Sequence, residues 1–172
     1  MNRRNFAQLA GITSLGLFSD PTLYATEKSL IKNTFNLAYA PHLGMFRHHA
    51  GEDPIDQLNF MADQGFRAFE DNEMRNRSVS LQEKISATMV KRGLRMGVFV
   101  AHKIYWEKPN LASGNKTSRE EFLDYIRKAI PVAKRVNAKW MTVVPGHVDL
   151  RQNIAYQTAH VIESLKQASW KR

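Results

Sequence analysis

Four short apolar segments of this chain each end beside a histidine or a carboxylate. Histidine transfers protons and binds divalent metals near neutral pH, and carboxylates do the same work. These residue types at the ends of apolar segments indicate metal binding or acid–base chemistry. The candidate substrate-binding residues are Glu70, His102, His42 and His147, with Trp106 as an aromatic wall for a small-molecule pocket.

The two strongest candidates each have a structural alternative. Glu70 ends an otherwise apolar segment, where burial of a charge is costly unless the charge is paired or used. It either contacts a ligand or pairs with Arg67 or Arg95. His102 follows the most apolar segment, and it either lines a pocket or packs and hydrogen-bonds a loop carbonyl.

The other three candidates have plainer alternatives. His42 and His147 fall in loops, where histidines are commonly just exposed. Trp106 lies in the polar loop 102–117, and it either walls a pocket or covers the rim of the fold.

The apolar segments alternate with amphipathic helical patterns, which indicates an α/β fold. The predicted strands cover residues 34–40, 66–70, 94–101 and 139–144. A strand–helix repeat of about 30–40 residues is typical of parallel βα units. In such folds ligands bind at the carboxyl ends of the strands, which is where the candidates lie. The fold class predicted is a partial (β/α)8 TIM barrel, comprising its first four βα units with parallel strands.

Local signals predict where the helices begin and end. Asp53-Pro54 starts the first helix and Gly65 ends it, and Gly93 ends the second. Capping boxes at 80–83 and 118–121 start the second and third helices. Pro131 is expected to kink or split the third helix. The fourth helix covers 152–168, with an inward face made of Ile154, Ala155, Thr158, Val161, Ile162 and Leu165.

Composition excludes several kinds of site. The 172 residues include no cysteine, which rules out disulfides, thiolate metal sites and a cysteine nucleophile. The net charge is +9, but no run of five basic residues occurs, so a solvated surface is favoured over a nucleic-acid-binding face. Glycine-rich nucleotide loops, a His-Glu-x-x-His zinc helix and a Gly-x-Ser-x-Gly elbow are also missing from the sequence.

The N-terminus resembles a bacterial twin-arginine export signal. Residues 2–6 read NRRNF, and residues 9–18, LAGITSLGLF, form a mildly apolar stretch too short to cross a bilayer. We therefore predict an export signal at 1–26, a folded part at 27–172 and a periplasmic or exported location. Contact with the membrane is expected only during export.

Three segments resemble the xylose isomerase-like TIM barrels, and most closely the hydroxypyruvate isomerase-like sugar isomerases and epimerases. Residues 35–42, FNLAYAPH, are similar to the first strand of that family. Residues 56–70, DQLNFMADQGFRAFE, resemble its helix followed by Gly-Phe-x-x-x-Glu, and 94–102, LRMGVFVAH, its third strand with a terminal histidine. The resemblance covers about residues 34–168.

The resemblance implies metal-dependent aldose–ketose isomerisation or epimerisation by proton transfer next to a carbonyl. The substrate would be a small carbohydrate or hydroxy-keto compound. Glu70 and His102, and also His42 and His147, would line its pocket. The family's divalent metal (Mn, Mg or Zn) is held by residues of the fifth to eighth strands. We therefore expect 27–172 to be the N-terminal half of a barrel, truncated and inactive alone, with no catalytic carboxylate or metal ligand assigned within it.

Three alternatives remain open. A non-catalytic protein on the same scaffold would bind a sugar without turning it over. A half-barrel would pair with another copy through its exposed sheet edges as a homo-oligomer. An abasic-site endonuclease-like DNA-repair protein would use the same type of barrel, although the export signal and the scattered charge argue against it.

Overall fold

The computed structural model describes residues 35–169, which lie within the unit Ile31–Arg172. The predicted export signal at 1–26 lies outside the described residues. The described helices are α1 Arg47–Ala50, α2 Pro54–Asp63, α3 Val79–Arg92, α4 Lys116–Arg135 and α5 Ile154–Ser169. The strands are β1 Ala68–Phe69 and β2 Arg95–Met96, and short 3-10 turns lie at Met74–Asn76 and Leu111–Ser113.

The strands are parallel neighbours in chain order. Within the β1–β2 pair, Ala68 lies opposite Arg95 and Phe69 opposite Met96. Single parallel bridges continue the order on either side, joining His42 to Glu70 and Val100 to Thr142. The four paired segments, which lie at His42, at β1, at β2 with Val100 and at Thr142, therefore run side by side in one direction, as successive βα units require. The prediction of a partial α/β barrel is confirmed.

The two outer segments are less regular than the sequence predicts. Residues 35–40 form no strand, and pairing begins only at Pro41, whose carbonyl accepts a hydrogen bond from the Glu70 N–H at 3.0 Å. In the fourth segment pairing is limited to Thr142. The two central strands are also shorter than predicted, because β1 covers two residues of 66–70 and β2 covers two residues of 94–101.

Two apolar clusters hold these elements together. The larger one packs the helices against the strands, and its fully buried side chains include Leu58, Met61, Phe69, Ile85, Phe99 and Val136. A smaller cluster of Leu111, Phe122 and Leu123 packs with Val143, Val161 and Ala168, so it joins α4 and α5 to the fourth segment. This apolar burial orients the strand ends where the candidate residues lie.

Two of the helix starts differ from the sequence expectation. The Asp53 side chain caps α2 as predicted, accepting a hydrogen bond from the Ile55 N–H. The capping boxes at 80–83 and 118–121 are wrong, because α3 begins after Ser78 and α4 after Asn115. Each of these earlier residues accepts a backbone hydrogen bond through its side chain and caps the helix upstream. Gly65 and Gly93 end α2 and α3 with positive φ, as predicted.

The predictions for the last two helices were partly wrong. Pro131 does not split α4, which runs unbroken past it; its ring is exposed, so the backbone group that it leaves unpaired faces solvent. α5 forms as predicted but buries Gln157 and Ser164, while Ile154, Ile162 and Leu165 are exposed. The side-chain amide of Gln157 accepts a hydrogen bond from the Asp149 N–H and donates one to the Asp149 carbonyl. These hydrogen bonds favour burial of the polar face of α5. Among residues 35–169, no helix is both long enough and apolar enough to span a bilayer.

Candidate functional site

His102 links the end of the third strand segment to the fourth. Its ring is 5% exposed and lies edge-on to the Phe122 ring, 5.2 Å between centroids. Nδ1 lies 2.8 Å from the Lys103 carbonyl oxygen, which can only accept, so Nδ1 carries the proton. Nε2 then accepts a hydrogen bond from the Val144 N–H at 3.1 Å. The structural alternative for His102, a packed ring bonded to a loop carbonyl, is therefore present, and its role towards substrate stays a prediction.

The surroundings of His102 favour its neutral form. Burial lowers its pKa below the ordinary value of 6.5, and the positive charge of Arg75 acts in the same direction. The hydrogen bond to the Lys103 carbonyl opposes this shift in part. At neutral pH His102 is an uncharged ring that holds two backbone segments.

His42 makes the equivalent pair of contacts between the first and second segments. Its Nδ1 lies 2.5 Å from the Leu43 carbonyl oxygen, and its Nε2 accepts a hydrogen bond from the Asn72 N–H at 3.2 Å. The ring is only half-buried. His42 thus fixes the loop that follows Glu70 and Asp71 at the carboxyl end of the sheet.

Glu70 is half-buried at the end of β1, and the predicted alternative of an ion pair with Arg67 or Arg95 is not seen among the described residues. The backbone around it is closely packed. A Cβ placed on Gly97 would lie 3.6 Å from Glu70 Cβ and 3.1 Å from the Phe69 carbonyl oxygen. Gly97 therefore packs closely against the backbone of β1, and the Glu70 carboxylate forms no ion pair among residues 35–169.

Asp71, the next residue, serves a structural purpose. Its carboxylate is fully buried and forms a bidentate ion pair with Arg77, in which Arg77 Nη2 donates to Oδ1 at 3.1 Å and Nε donates to Oδ2. The Glu73 N–H also donates to Oδ1. Asp71 therefore orders the loop after β1 and has little capacity left for a ligand.

A cavity of about 330 Å³ opens at the carboxyl ends of the second and third segments. We call it the strand-end cavity, and its lining includes Asn72, Glu73, Arg75, His102, Lys103 and Trp106. Two predicted residues, His102 and Trp106, meet there, and His42 touches it through its bond to Asn72. Trp106 is 68% exposed and lines the cavity, so it is accessible to a molecule that enters there.

His147 lies elsewhere. It is exposed and lines a separate cavity of about 270 Å³ with Pro145, Gly146 and residues of α5. Its backbone N–H donates to the Tyr105 carbonyl at 3.0 Å, which ties the loops after the third and fourth segments together. Glu70 lines neither cavity, so the structure brings two of the five predicted residues to one place.

Arg75 is the functional candidate that the sequence analysis missed. It sits in the 3-10 turn Met74–Asn76, lines the strand-end cavity and stacks its guanidinium 4.9 Å from the centre of the Tyr125 ring. The available signal was its position in a polar loop directly after a strand, where barrel enzymes place their ligand-binding residues. In the sequence it is one of many scattered basic residues.

A sequence profile of the xylose isomerase-like TIM barrel family matches residues 58–171, well over half of the chain. The chain belongs to the xylose isomerase-like TIM barrel family. This family includes sugar isomerases and epimerases as well as endonuclease IV-like members. A search of curated proteins finds no significant match to the chain. Glu70 and all the residues that line the strand-end cavity lie within the matched region.

Proposed function

We propose that this protein is a sugar isomerase or epimerase of the hydroxypyruvate isomerase-like group. The observation that carries the proposal is Glu70, which matches the Gly-Phe-x-x-x-Glu pattern and stands at a strand end without an ion pair in residues 35–169. A half-buried carboxylate without an ion pair in this part of the chain is suited to accept hydrogen bonds from sugar hydroxyls. Family membership supports the same class of reaction.

In the reaction proposed, a base removes a proton from the carbon next to a carbonyl, and the electron pair moves to the carbonyl oxygen. The resulting enediolate is protonated again on the opposite face of the same carbon in an epimerisation. In an isomerisation its oxygen takes a proton, the neighbouring hydroxyl loses one, and the proton from the base returns to the former carbonyl carbon. Glu70 would bind a substrate hydroxyl, and Trp106 would pack on an apolar face of the sugar. His42 and His102 would hold the strand ends in register beside the substrate. We assign no catalytic base.

The resemblance implies a divalent metal (Mn, Mg or Zn) for the full-length family. Such a metal acts as a Lewis acid that stabilises the enediolate when bound. Among residues 35–169, no three His, Asp or Glu side chains stand close enough to hold an ion. These residues do not fit a metal, and no step of the proposal passes through one.

Solvent exchange tests the proposal more sensitively than product formation. We would incubate the full chain with hydroxypyruvate and a panel of small aldoses and ketoses in D2O, with added Mn²⁺ or Mg²⁺. Deuterium entering the carbon beside the carbonyl, read by NMR, supports the function. Glu70→Gln should slow the exchange, because an amide binds a hydroxyl less strongly than a carboxylate does, and the exposed control Glu52→Gln should leave it unchanged. Equal exchange by both variants would contradict the role of Glu70.

The same protein samples distinguish an isomerase from a non-catalytic sugar-binding protein. A sugar-binding protein on this scaffold would give a calorimetric binding signal that depends on Glu70, but no deuterium exchange with either metal. Exchange at any rate above that of the Glu70→Gln variant rejects it.

A self-assembling half-barrel is favoured by the exposed apolar side chains along the outer segments. Leu37, Tyr39 and Trp140 are 66%, 53% and 73% exposed. Unpaired strand edges with apolar neighbours favour pairing between copies. Sedimentation velocity that finds only monomer at tens of micromolar protein would reject this alternative.

An abasic-site endonuclease is the third alternative, because the family includes endonuclease IV-like members and the net charge is +9. It requires binding to duplex DNA containing an abasic site, with affinity that falls as salt rises. No preference for abasic over intact duplex at moderate salt would reject it.

We also propose that residues 1–26 direct export through the twin-arginine pathway to the periplasm. The support is the sequence NRRNF followed by a short apolar stretch. Fused to a reporter that is active only after export, residues 1–26 should carry it out of the cytoplasm. Replacing Arg3 and Arg4 by lysine should stop export, whereas export of the doubly substituted fusion would contradict the assignment.

A further inference from the structure

Arg75 carries a charge that the described protein does not neutralise. Its Nε is buried and makes no hydrogen bond in residues 35–169, and the side chain forms no ion pair there. The Tyr125 ring covers the face of the guanidinium, 4.9 Å from centre to centre, but a ring face does not satisfy the N–H groups at the edge. The Arg75 side chain is half-buried, but its buried Nε–H lacks an acceptor, which is costly, so its surroundings favour a hydrogen-bond acceptor that is an anion.

The neighbouring carboxylates are already engaged. Asp71 is paired with Arg77, and Glu73, which lines the same cavity, accepts a hydrogen bond from the Asn76 amide at 2.7 Å. Neither Asp71 nor Glu73 therefore pairs with Arg75, which lines the cavity. The guanidinium is left to bind an anion that enters the cavity.

A second cation stands at the same opening. Lys103 lines the strand-end cavity and is exposed, with its Nζ 4.8 Å from the centre of the Tyr105 ring. His102 lines the same cavity, and burial lowers the pKa of its ring, which favours the uncharged form. With Arg75 and Lys103 against the single carboxylate of Glu73, the cavity lining carries an excess of positive charge.

We propose that the strand-end cavity binds the carboxylate or phosphate group of a small substrate, with Arg75 as the main donor and Lys103 at the rim. A guanidinium presents parallel N–H groups that match two oxygens of either anion, and the Tyr125 ring fixes its plane. The volume of about 330 Å³ suits a compound of a few carbon atoms. The inference rests on the proposed function in assigning this anion to the substrate: it makes the substrate an acidic or phosphorylated sugar-like compound.

The experiment uses the full chain and three probes that share a three-carbon skeleton: glycerate, glycerol phosphate and uncharged glycerol. Calorimetry should show that one of the two anions binds at least about tenfold more tightly than glycerol, since a charge-assisted hydrogen bond contributes about 1.5–3 kcal/mol, or about 10–100-fold. The preferred anion identifies which source the cavity serves. Trp106 fluorescence should change on binding, and Trp106→Phe should remove that change while calorimetric binding persists.

Matched variants locate the site. Arg75→Gln should weaken binding of the preferred anion at least about tenfold, and Arg75→Lys should fall between it and the wild type because one point charge replaces the planar fork. Arg67→Gln removes an exposed arginine that directly precedes β1, and it should leave the affinity unchanged. Circular dichroism of each variant establishes that it is folded, and the Arg75→Lys comparison remains decisive if Arg75→Gln is unfolded.

Either of two results would overturn the inference. One is that neither anion binds more tightly than glycerol, as expected if a carboxylate from another segment neutralises Arg75. The other is that Arg67→Gln weakens binding as much as Arg75→Gln, which would show attraction to a basic surface in general. The proposed function fails separately: Arg75-dependent anion binding without deuterium exchange contradicts the isomerase alone, and exchange of neutral sugars that ignores Arg75 contradicts the anion site alone.

Discussion

His42 and His102 make the same pair of hydrogen bonds in two successive pairs of strand segments. In each ring Nδ1 donates to the carbonyl of the next residue, and Nε2 accepts from a backbone N–H on the following segment, that of Asn72 or Val144. Each histidine thereby holds the end of one segment against the next. The two differ in environment, because His102 is buried and His42 half-buried.

This difference predicts unequal costs of removing the two rings. His102→Ala leaves a cavity against Phe122 and an unsatisfied N–H at Val144, so we expect a loss of about 3–4 kcal/mol of unfolding free energy. His42→Ala exposes the Asn72 N–H to water, and we expect about 1 kcal/mol. Urea unfolding of the full chain measures both values.

The exposed His48 provides the control, and His48→Ala should lie within about 0.5 kcal/mol of the wild type. Equal losses for His42→Ala and His102→Ala would contradict the idea that burial decides the cost. A loss below about 1 kcal/mol at His102 would show that its two hydrogen bonds do not hold the segments together.

The protonation of His102 should make stability depend on pH. Its pKa in the folded protein is below 6.5, chiefly because of burial, so the unfolded chain binds the proton more readily. The stabilisation is fully present above about pH 6.5 and is lost as the pH falls through that value towards the lower folded pKa. Protonation would also cost Nε2 its hydrogen bond from Val144.

Melting temperatures between pH 7.5 and 5 test this expectation. The wild type should lose more stability over that range than His102→Gln, which lacks the titrating ring. His48→Gln should follow the wild type, because it removes an exposed histidine instead. Identical slopes for the wild type and His102→Gln would contradict the assignment.

The buried pair of Asp71 and Arg77 should be costly to break from either side. Asp71 is fully buried, and its carboxylate takes two hydrogen bonds from Arg77 and one from the Glu73 N–H. We expect Asp71→Ala or Arg77→Met to cost about 3–5 kcal/mol, because each leaves a charged partner unpaired. The double variant should cost clearly less than the two single losses added together.

An exposed pair serves as the matched comparison. Lys128 Nζ lies 2.6 Å from an Asp124 carboxylate oxygen in α4, with both side chains about half or more exposed. Asp124→Ala should cost less than about 1 kcal/mol. Additive losses at 71 and 77, measured by urea unfolding, would show that the two side chains contribute independently.

The order and direction of the strand segments followed from the sequence, and the details of the site did not. The parallel arrangement could be predicted from apolar runs that end in histidine or glutamate and alternate with helical patterns. Hydrophobic periodicity and helix-ending residues are local signals that a sequence shows directly. Strand lengths were overestimated in all four segments, since regular pairing depends on tertiary contacts that propensity does not reveal. The buried stripe of α5 was missed because Gln157 is buried through hydrogen bonds, which no hydrophobic pattern records.

The same limit applies to the candidate residues. The sequence placed histidines at the strand ends but gave no sign that both nitrogens of His42 and His102 bond to backbone groups. An ion pair of Glu70 with Arg67 or Arg95 was the expected alternative, but the pair that forms joins Asp71 to Arg77. The 3-10 turn Met74–Asn76 reverses the chain and brings Arg77 close to Asp71. Arg75 could be recognised as a candidate only from its contact with the ring of Tyr125, which lies in α4, far along the sequence.

Gly146 should be intolerant of a side chain because of its close approach to a neighbouring loop. Its φ is +81°, and an added Cβ would lie 2.6 Å from the Tyr105 carbonyl oxygen, the atom that accepts the His147 N–H. Gly93 also has a positive φ, +66°, and lies in the left-handed helical region, but nothing lies within 4 Å of an added Cβ there. Gly93→Ala should therefore cost only the left-handed backbone penalty of about 1–2 kcal/mol, and Gly146→Ala should cost more by about 1 kcal/mol or above. Urea unfolding measures both stability losses. Hydrogen exchange at the His147 amide should accelerate in Gly146→Ala only. Equal stability losses with the His147 amide still protected would mean that the two loops separate without cost.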